Sequence, residues 1–582
     1  MRQLATCNCF AIILVVLASQ VLGQSAETRP AGLPTDKNVI AFGLRAEGAL
    51  SSGLREAAPL SEIYVQRLIP AGKLGFVIDS DRYLLGRFKW GEKPVMENLL
   101  NYPADSGDND IQKSTNDQQL LDGLIQVMVP DWKQLGPERY EYKFVGPTFL
   151  GAVRCLVYDV KPLNPEGDGF TGRIYLEDKS WNIVRFTGMN TSVDKLFIAL
   201  RAKNSRFRID SWRVNVTKKQ WVPAYAYVEE VPPLDAPESP VVKGQIRFWG
   251  YNRTGIQQQK FTDIVLDGSP LTTDDRKGQW PSPQQSQRLF ENEAEANVLE
   301  RLYQARLLGT PSEVEKMLDQ ILTNLIVTNK LILGQQVHCR VLLTTRLEAF
   351  TVGNTIVISR GLIDVMPNES ALAIVLAHQL SHNLLGHRKV DTQLAFADVL
   401  RISDAELLAK LRFHHSRQEE AAADAKAMEI LEQSPYKEKM AEGGLVMEAL
   451  RAHAKQLSNL IQPHFGEHIA DVDQIVRNDG MFRVVPEHDE ELIDQIAALP
   501  LGSRLVVDPW DGAVRLIRSA PPPAPVLRER AEFAVTPFMP FLDYVVEITA
   551  VPMPINASTQ RRTGRHHQTV SRSVRPIKKG GS

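Results

Sequence analysis

The stretch Ala377-His378-Gln379-Leu380-Ser381-His382 lies inside the apolar run 371–385. Residues four apart on an α-helix lie on the same face, one turn apart, so both histidine rings can reach a single ion. Zinc that activates water needs three protein ligands and one open position. The stretch therefore predicts a helix that supplies two ligands of a metal site, His378 and His382.

A third ligand is expected from a second helix, in Ser416-Arg-Gln-Glu-Glu-Ala-Ala-Ala-Asp-Ala425. Glu420 and Asp424 are four residues apart in this segment, so they also share a helical face. One carboxylate could bind the metal while the other orients a histidine ring from behind. The pattern alone does not say which of the two has which role.

Three blocks of the chain resemble the HtpX, BepA and CAAX-prenyl-protease metallopeptidases, the forty-eighth metallopeptidase family. Residues 376–382 resemble the helix that in these proteins usually reads Leu-Ala-His-Glu-(Leu/Ile)-(Ser/Ala)-His. Residues 348–362 resemble the family's hairpin and the turn after it. Residues 420–424 match its Glu-x-Glu-Ala-Asp motif at the first, fourth and fifth places.

The resemblance implies a mostly helical, zincin-like metallopeptidase domain over 287–480. It implies one Zn²⁺ per chain, bound by His378, His382 and Glu420, with Asp424 behind the ligands. Residues 462–471 resemble the segment that places a gate histidine over the metal in some members, so His464 is the candidate gate ligand.

The departure from the family pattern concerns its general base. Gln379 stands where the family has the glutamate that takes a proton from water. A glutamine side chain cannot accept that proton at neutral pH, although it can still donate and accept hydrogen bonds. Losing a positioned base typically lowers the rate by about a hundred- to ten-thousand-fold. We expect a bound metal with weak or absent proteolysis. Glu419 and Glu420 are the alternative bases, and both are disfavoured. Glu420 is expected to bind the metal, and Glu419 should point about 100° away on the helix.

Other residues near these motifs carry weaker predictions. The predicted hairpin could add a strand from an extended peptide by main-chain pairing; its edge residues are Phe350, Thr351, Val352 and Gly353. His387, His414 and His415 are expected to be surface or helix-end histidines. Two cysteines follow the amino-terminal segment, and we expect both, Cys155 and Cys339, to be buried thiols.

Residues 38–265 are mainly short β-rich runs separated by turns rich in Gly, Pro, Asn and Asp, which predicts an antiparallel sheet. The phrase 172–185 resembles the strand-turn-strand repeat of the lipoprotein-sorting proteins of the LolA and RseB type. That resemblance implies a lipid at the amino-terminal domain. The alternative is a β-rich accessory domain with a filled core.

The length, the net charge and the flanking segments of the chain indicate what kind of protein it is. A chain of 582 residues should form several domains, and a net charge of −2 gives no reason to expect nucleic acid as a partner. Residues 1–23 read as a secretory signal, with an uncleaved membrane anchor as the alternative. The segments around the domains are a flexible lead-in at 24–37, a linker at 266–286, a small mixed α/β module at 481–555 and a disordered basic tail at 556–582.

The sequence thus predicts an α+β multidomain protein: an antiparallel β-rich amino-terminal domain, the zincin-like domain and the small carboxy-terminal module. The predicted function is that of an exported zinc-binding protein, periplasmic or extracellular, that acts as a protein-binding or chaperone-like factor for unfolded or envelope proteins. An active zinc metalloendopeptidase and a lipid or lipoprotein carrier remain as alternatives.

Overall fold

The structure is a computed structural model, and it describes residues 36–54, 57–72, 75–89, 95–99, 123, 135–164, 169–190, 206–217, 220–233, 235–251, 283–387, 392–396, 404–466, 498–502, 504–508, 512–516, 532–537 and 542–544. The predicted signal segment 1–23, nearly all of the linker 266–286 and the basic tail 556–582 lie outside these residues.

The amino-terminal half forms a ten-stranded antiparallel sheet, which confirms the predicted fold class. The strand order is β3-β2-β1-β10-β9-β8-β7-β6-β5-β4. Strands β1 to β3 form one meander and strands β4 to β10 form another, and the antiparallel pairing of β1 with β10 joins the two. The strands are β1 Leu60–Pro70, β2 Phe76–Lys89, β3 Val95–Asn98, β4 Tyr140–Leu150, β5 Val153–Pro162, β6 Phe170–Glu177, β7 Ile183–Asn190, β8 Arg206–Thr217, β9 Gln220–Val231 and β10 Val241–Trp249.

A helix, α1 (Asp36–Gly53), precedes the sheet where the sequence predicts the end of a flexible lead-in followed by strands. Its apolar residues Val39, Ile40 and Leu50 recur at helical spacing and are buried against one face of the sheet. Burial of this stripe makes the segment a helix. The same face holds a buried ion pair between Glu47 of α1 and Arg213 of β8.

The opposite face of the sheet packs on the carboxy-terminal half of the chain. Tyr64, Trp212 and Trp249 belong to the same buried cluster as the core of that half. The indole of Trp249 also donates to the carbonyl of Arg306, at 2.8 Å. The two halves therefore share one core.

The carboxy-terminal half is mostly helical around a three-stranded sheet, as predicted. Strand β13 lies in the centre, parallel to β11 and antiparallel to β12. The strands are β11 His338–Leu342, β12 Ala349–Val352 and β13 Thr355–Ser359. The helices are α2 Pro283–Gln304, α3 Glu313–Thr328, α4 Arg360–Val365, α5 Glu369–Leu385, α6 Thr392–Ala395, α7 Asp404–Lys410, α8 Arg417–Glu432, α9 Met440–His453 and α10 Ser458–Ile461, with a 3₁₀ turn at Lys437–Lys439.

The last described segments pack on this half. Strands β14 (Leu505–Val507) and β15 (Val514–Leu516) form an antiparallel pair, as the sequence predicts. The buried carboxylate of Asp364 accepts hydrogen bonds from the backbone N–H groups of Gly502 and Arg504. Within the described part of the chain, no helix has both the length and the apolarity needed to cross a bilayer. The two described cysteines, Cys155 and Cys339, are buried and form no disulfide.

Candidate metal centre

Helix α5 carries the two histidines, and its ends are defined by local chemistry. The side chain of Asn368 accepts from the backbone N–H of Ala371 at 3.0 Å and so caps the first turn. Gly386 ends the helix with φ 73°, the left-handed conformation that glycine adopts without a steric penalty. Helix α9 approaches α5 closely at Gly443, where an added Cβ would lie 2.3 Å from Ile374. These contacts hold α5 at a defined position in the core.

Helix α8 carries the two carboxylates, and it begins with a capping box. Ser416 accepts from the backbone N–H of Glu419, and the side chain of Glu419 accepts from the backbone N–H of Ser416 at 2.8 Å. Glu420 and Asp424 are both buried on the face that packs against α5. The segment therefore presents both carboxylates to the histidines, as the four-residue spacing predicts.

Three ligand atoms converge between the two helices. The Nε2 atoms of His378 and His382 are 3.1 Å apart. The carboxylate of Glu420 places one oxygen 3.4 Å from Nε2 of His378 and the other 3.3 Å from Nε2 of His382. A tetrahedral zinc with ligands at about 2.1 Å keeps neighbouring ligand atoms about 3.4 Å apart. The spacing and the two-nitrogen, one-oxygen donor set both fit zinc.

Asp424 lies behind the first ligand rather than within the cluster. Its Oδ1 is 2.8 Å from Nδ1 of His378, which leaves Nε2 of that ring directed at the other ligands. Burial alone lowers the pKa of His378, but the hydrogen bonds and charges of Asp424 and Glu420 outweigh it and raise the pKa to about 10. This geometry favours Glu420 as ligand and Asp424 as the orienting carboxylate.

His382 is fully buried and has two further imidazoles as neighbours. Its Nδ1 is 3.2 Å from Nδ1 of His387, and its ring stacks on that of His415 at a centroid distance of 3.8 Å. Burial, with the positive charges of His378 and His415, lowers the pKa of His382 to about 4. His387 directly follows the end of α5, as expected for a helix-end histidine, although its ring also contacts His382. The side chain of His415 is 3% exposed, so it is not the surface histidine that the sequence predicted. His414 is exposed, as expected.

Gln379 follows the first ligand, and 5% of its surface is exposed. Among the described residues, its Oε1 atom is buried without a hydrogen-bond partner. Glu419, the alternative base, uses its carboxylate in the capping box of α8. Neither side chain presents a carboxylate that is free to accept a proton at the cluster.

His464 lies in a different environment from the three ligands. Its Nε2 is 3.1 Å from the carbonyl oxygen of Leu408, and burial, with the charge of Arg412, lowers its pKa to about 3. The carboxylate of Glu348 accepts three backbone N–H groups, those of His464, Phe465 and Gly466, which holds this turn in place. The gate role of His464 stays a prediction, and it would require the ring to leave the Leu408 carbonyl.

The predicted substrate edge is part of the core. Phe350, Thr351 and Val352 are each at most 3% exposed, and the ring of Phe350 stacks on Phe413 at 4.8 Å. Glu295 of α2 accepts from the backbone N–H of Asn354 at the hairpin turn beside Gly353. Pairing of β12 with a peptide strand stays a prediction. Because the side chains of β12 are buried, such pairing would use only its backbone N–H and C=O groups.

Comparison with known proteins identifies the region that holds the cluster. Residues 312–464 match the model of Peptidase family M48, and the metallopeptidase resemblance of the sequence is confirmed for this region. No curated protein matches the chain.

Several solved structures resemble part of the chain, and all of them are distant. A putative outer membrane lipoprotein-sorting protein domain from Vibrio parahaemolyticus is 10% identical, with a TM-score of 0.19, over 39% of this chain and 98% of that one. A LolA superfamily protein from Nitrosomonas europaea is 7% identical, with a TM-score of 0.16, over 37% and 92%. The Pseudomonas aeruginosa MucA/MucB complex contains a chain that is 10% identical, with a TM-score of 0.13, over 36% and 94%. These values are too low for the likeness to indicate a function.

Proposed function

We propose that this chain is an exported zinc-binding protein of the metallopeptidase type with weak or absent proteolysis, which binds polypeptide clients in the cell envelope. One observation carries the proposal. His378, His382 and Glu420 bring three potential ligand atoms together at a spacing that would suit zinc, while the position after His378 holds an amide.

The chemistry of the site supports binding more than turnover. Zinc, when bound, would polarise a carbonyl oxygen as a Lewis acid. The chain's own residues would hold the ion and orient one ligand through Asp424. They would supply no base, because Gln379 cannot take up a proton and Glu419 caps α8. The expected loss relative to a glutamate at the same position is about a hundred- to ten-thousand-fold in rate.

Metal content and cleavage test the two parts of the proposal separately. Purified wild type should contain one zinc per chain, and His378→Ala should contain much less. Cleavage of casein or a peptide library by wild type should be near background, and Gln379→Glu should raise it in a chelator-sensitive way. Chelator-sensitive cleavage by wild type that Gln379→Glu leaves unchanged would show that the protein is an active peptidase. That result is the second candidate function, and the intact ligand set is the observation that favours it.

The client-binding part rests on the protein's architecture. One buried cluster spans the sheet and the helical half, so a client bound by one half would lie next to the other. Binding of the full-length protein to unfolded envelope proteins, measured by suppression of their aggregation, is the expected result. Stoichiometric lipid in the purified protein would instead favour a carrier role for the sheet. Such a lipid would need room beside α1, whose apolar side chains pack against one face of the sheet.

A further inference from the structure

The ligand His382 differs from His378 in what lies behind its ring. Behind His378 is the carboxylate of Asp424, at 2.8 Å. Behind His382 is a second imidazole, with 3.2 Å between the Nδ1 atoms of His382 and His387. We propose that His387 is a positioning residue of the metal centre, which accepts the Nδ1–H hydrogen bond of His382 and directs its Nε2 at the ion. The inference rests on the zinc-binding part of the proposed function.

The end of helix α5 explains how His387 reaches this position. Gly386 adopts φ 73°, and the backbone N–H of His387 then donates to the carbonyl of His382 at 2.9 Å. The chain turns back on its own last turn, so a residue five positions after the ligand lies beside the ligand's ring. A straight helix would direct positions 382 and 387 to different faces, since five residues correspond to about 500° of rotation.

A contact from the segment that precedes helix α8 holds this turn. The Nε2 of His415 lies 2.8 Å from the backbone carbonyl of His387, so it donates to that oxygen. The same His415 ring stacks on His382, and its Nδ1 is 3.6 Å from the carboxylate of Glu420. His382 is thus restrained on its face by one imidazole and at its outer nitrogen by another.

The hydrogen-bond assignment follows from the role of His382. If Nε2 of His382 binds the ion, its proton must be on Nδ1. A Nδ1–H group next to Nδ1 of His387 requires a lone pair on the latter, so His387 carries its own proton on Nε2. The partner is a neutral acceptor, unlike the carboxylate behind His378. Removing the partner of a ligating histidine typically lowers metal affinity about 10- to 100-fold.

The test compares the zinc affinity of wild type and four variants by competition with a chromophoric chelator, with circular dichroism to verify the fold of each metal-free protein. We expect His387→Ala and His387→Phe to bind zinc about 10- to 100-fold more weakly than wild type. His387→Asn, whose Oδ1 atom takes the position of the imidazole Nδ1 and can accept the same hydrogen bond, should stay within a few-fold of wild type. The control His338→Ala, at a side chain that is 53% exposed on β11, should not change affinity.

The variants separate a positioning role from packing. The phenyl ring of His387→Phe fills the site, but it has no lone pair in its plane to accept the Nδ1–H hydrogen bond of His382. Wild-type zinc affinity in this variant would therefore overturn the inference. Equal losses in the folded His387→Asn and His387→Phe variants would also overturn it. If His387→Ala does not fold, the comparison of His387→Asn with His387→Phe decides the question. Absence of zinc binding by wild type itself would refute the proposed function, and the inference with it.

Discussion

Removing the charge of Glu62 is expected to weaken the whole molecule, because this carboxylate joins the sheet to the helical half. Glu62 on β1 is 1% exposed and accepts hydrogen bonds from the hydroxyl of Tyr83 at 2.8 Å and of Thr345 at 2.6 Å. It also accepts from the backbone N–H of Thr345 and pairs with the guanidinium of Arg360 at 2.9 Å. Thr345 and Arg360 flank the hairpin that precedes the metal-site helix.

The magnitude of the effect of Glu62→Gln follows from what it leaves behind. The glutamine keeps the shape and one acceptor oxygen, but the Arg360 side chain, also 1% exposed, loses its buried counter-charge. Breaking a buried ion pair from one side costs about 3–5 kcal/mol, since the remaining charge is desolvated without compensation. We therefore expect the free energy of unfolding to fall by about that amount.

Urea-induced unfolding, followed by tryptophan fluorescence and by circular dichroism, measures this loss. Coincident curves from the two probes would justify conversion to a free energy and would show that the two halves unfold together. The control is Glu97→Gln on β3 of the same sheet, where the pair with Lys89 is 52% and 60% exposed and contributes at most about 1 kcal/mol. A loss for Glu62→Gln no larger than that of the control would refute the reasoning.

Three further outcomes follow from single residues. Asp424→Ala should weaken zinc binding about 10- to 100-fold by chelator competition, with the exposed Asp235→Ala as control. Gly361→Ala would place a Cβ 1.8 Å from the carbonyl oxygen of Thr345. We expect this clash to lower the thermal midpoint by the equivalent of about 3 kcal/mol. The control Gly48→Ala, where the added Cβ has open space around it, should not lower the midpoint. The pKa of His464 is about 3 in the folded protein, below its ordinary value of 6.5, so the unfolded chain binds the proton more tightly. The stabilisation is present above pH 6.5 and is lost as pH falls towards 3, by about 2 kcal/mol at pH 5, and His464→Phe should flatten this part of the stability profile; an unchanged slope would contradict the reasoning.

The sequence predicted the parts of the site that depend on local periodicity. Two residues four apart share a face of any α-helix, so the pairing of His378 with His382 and of Glu420 with Asp424 needs only the helices to form. The strands of the sheet were predicted where β-rich runs lie between turn residues, as at 153–160. No individual strand was placed at 206–217 within the predicted sheet region, and the buried Arg213 of this strand pairs with Glu47 of α1.

The sequence by itself therefore determined the fold class, the ligand pairs and the amide that replaces the general base, since each of these depends on residue type and short-range spacing. The tertiary structure alone decided which carboxylate faces the ligand nitrogens, that His387 and His415 surround His382, and that Glu62 ties the sheet to the metal-site half. Glu62 lies 283 positions before Thr345 and 298 positions before Arg360 in the chain. No local pattern encodes such contacts, because they depend on how a capped helix end and two packed surfaces bring distant residues within hydrogen-bonding distance.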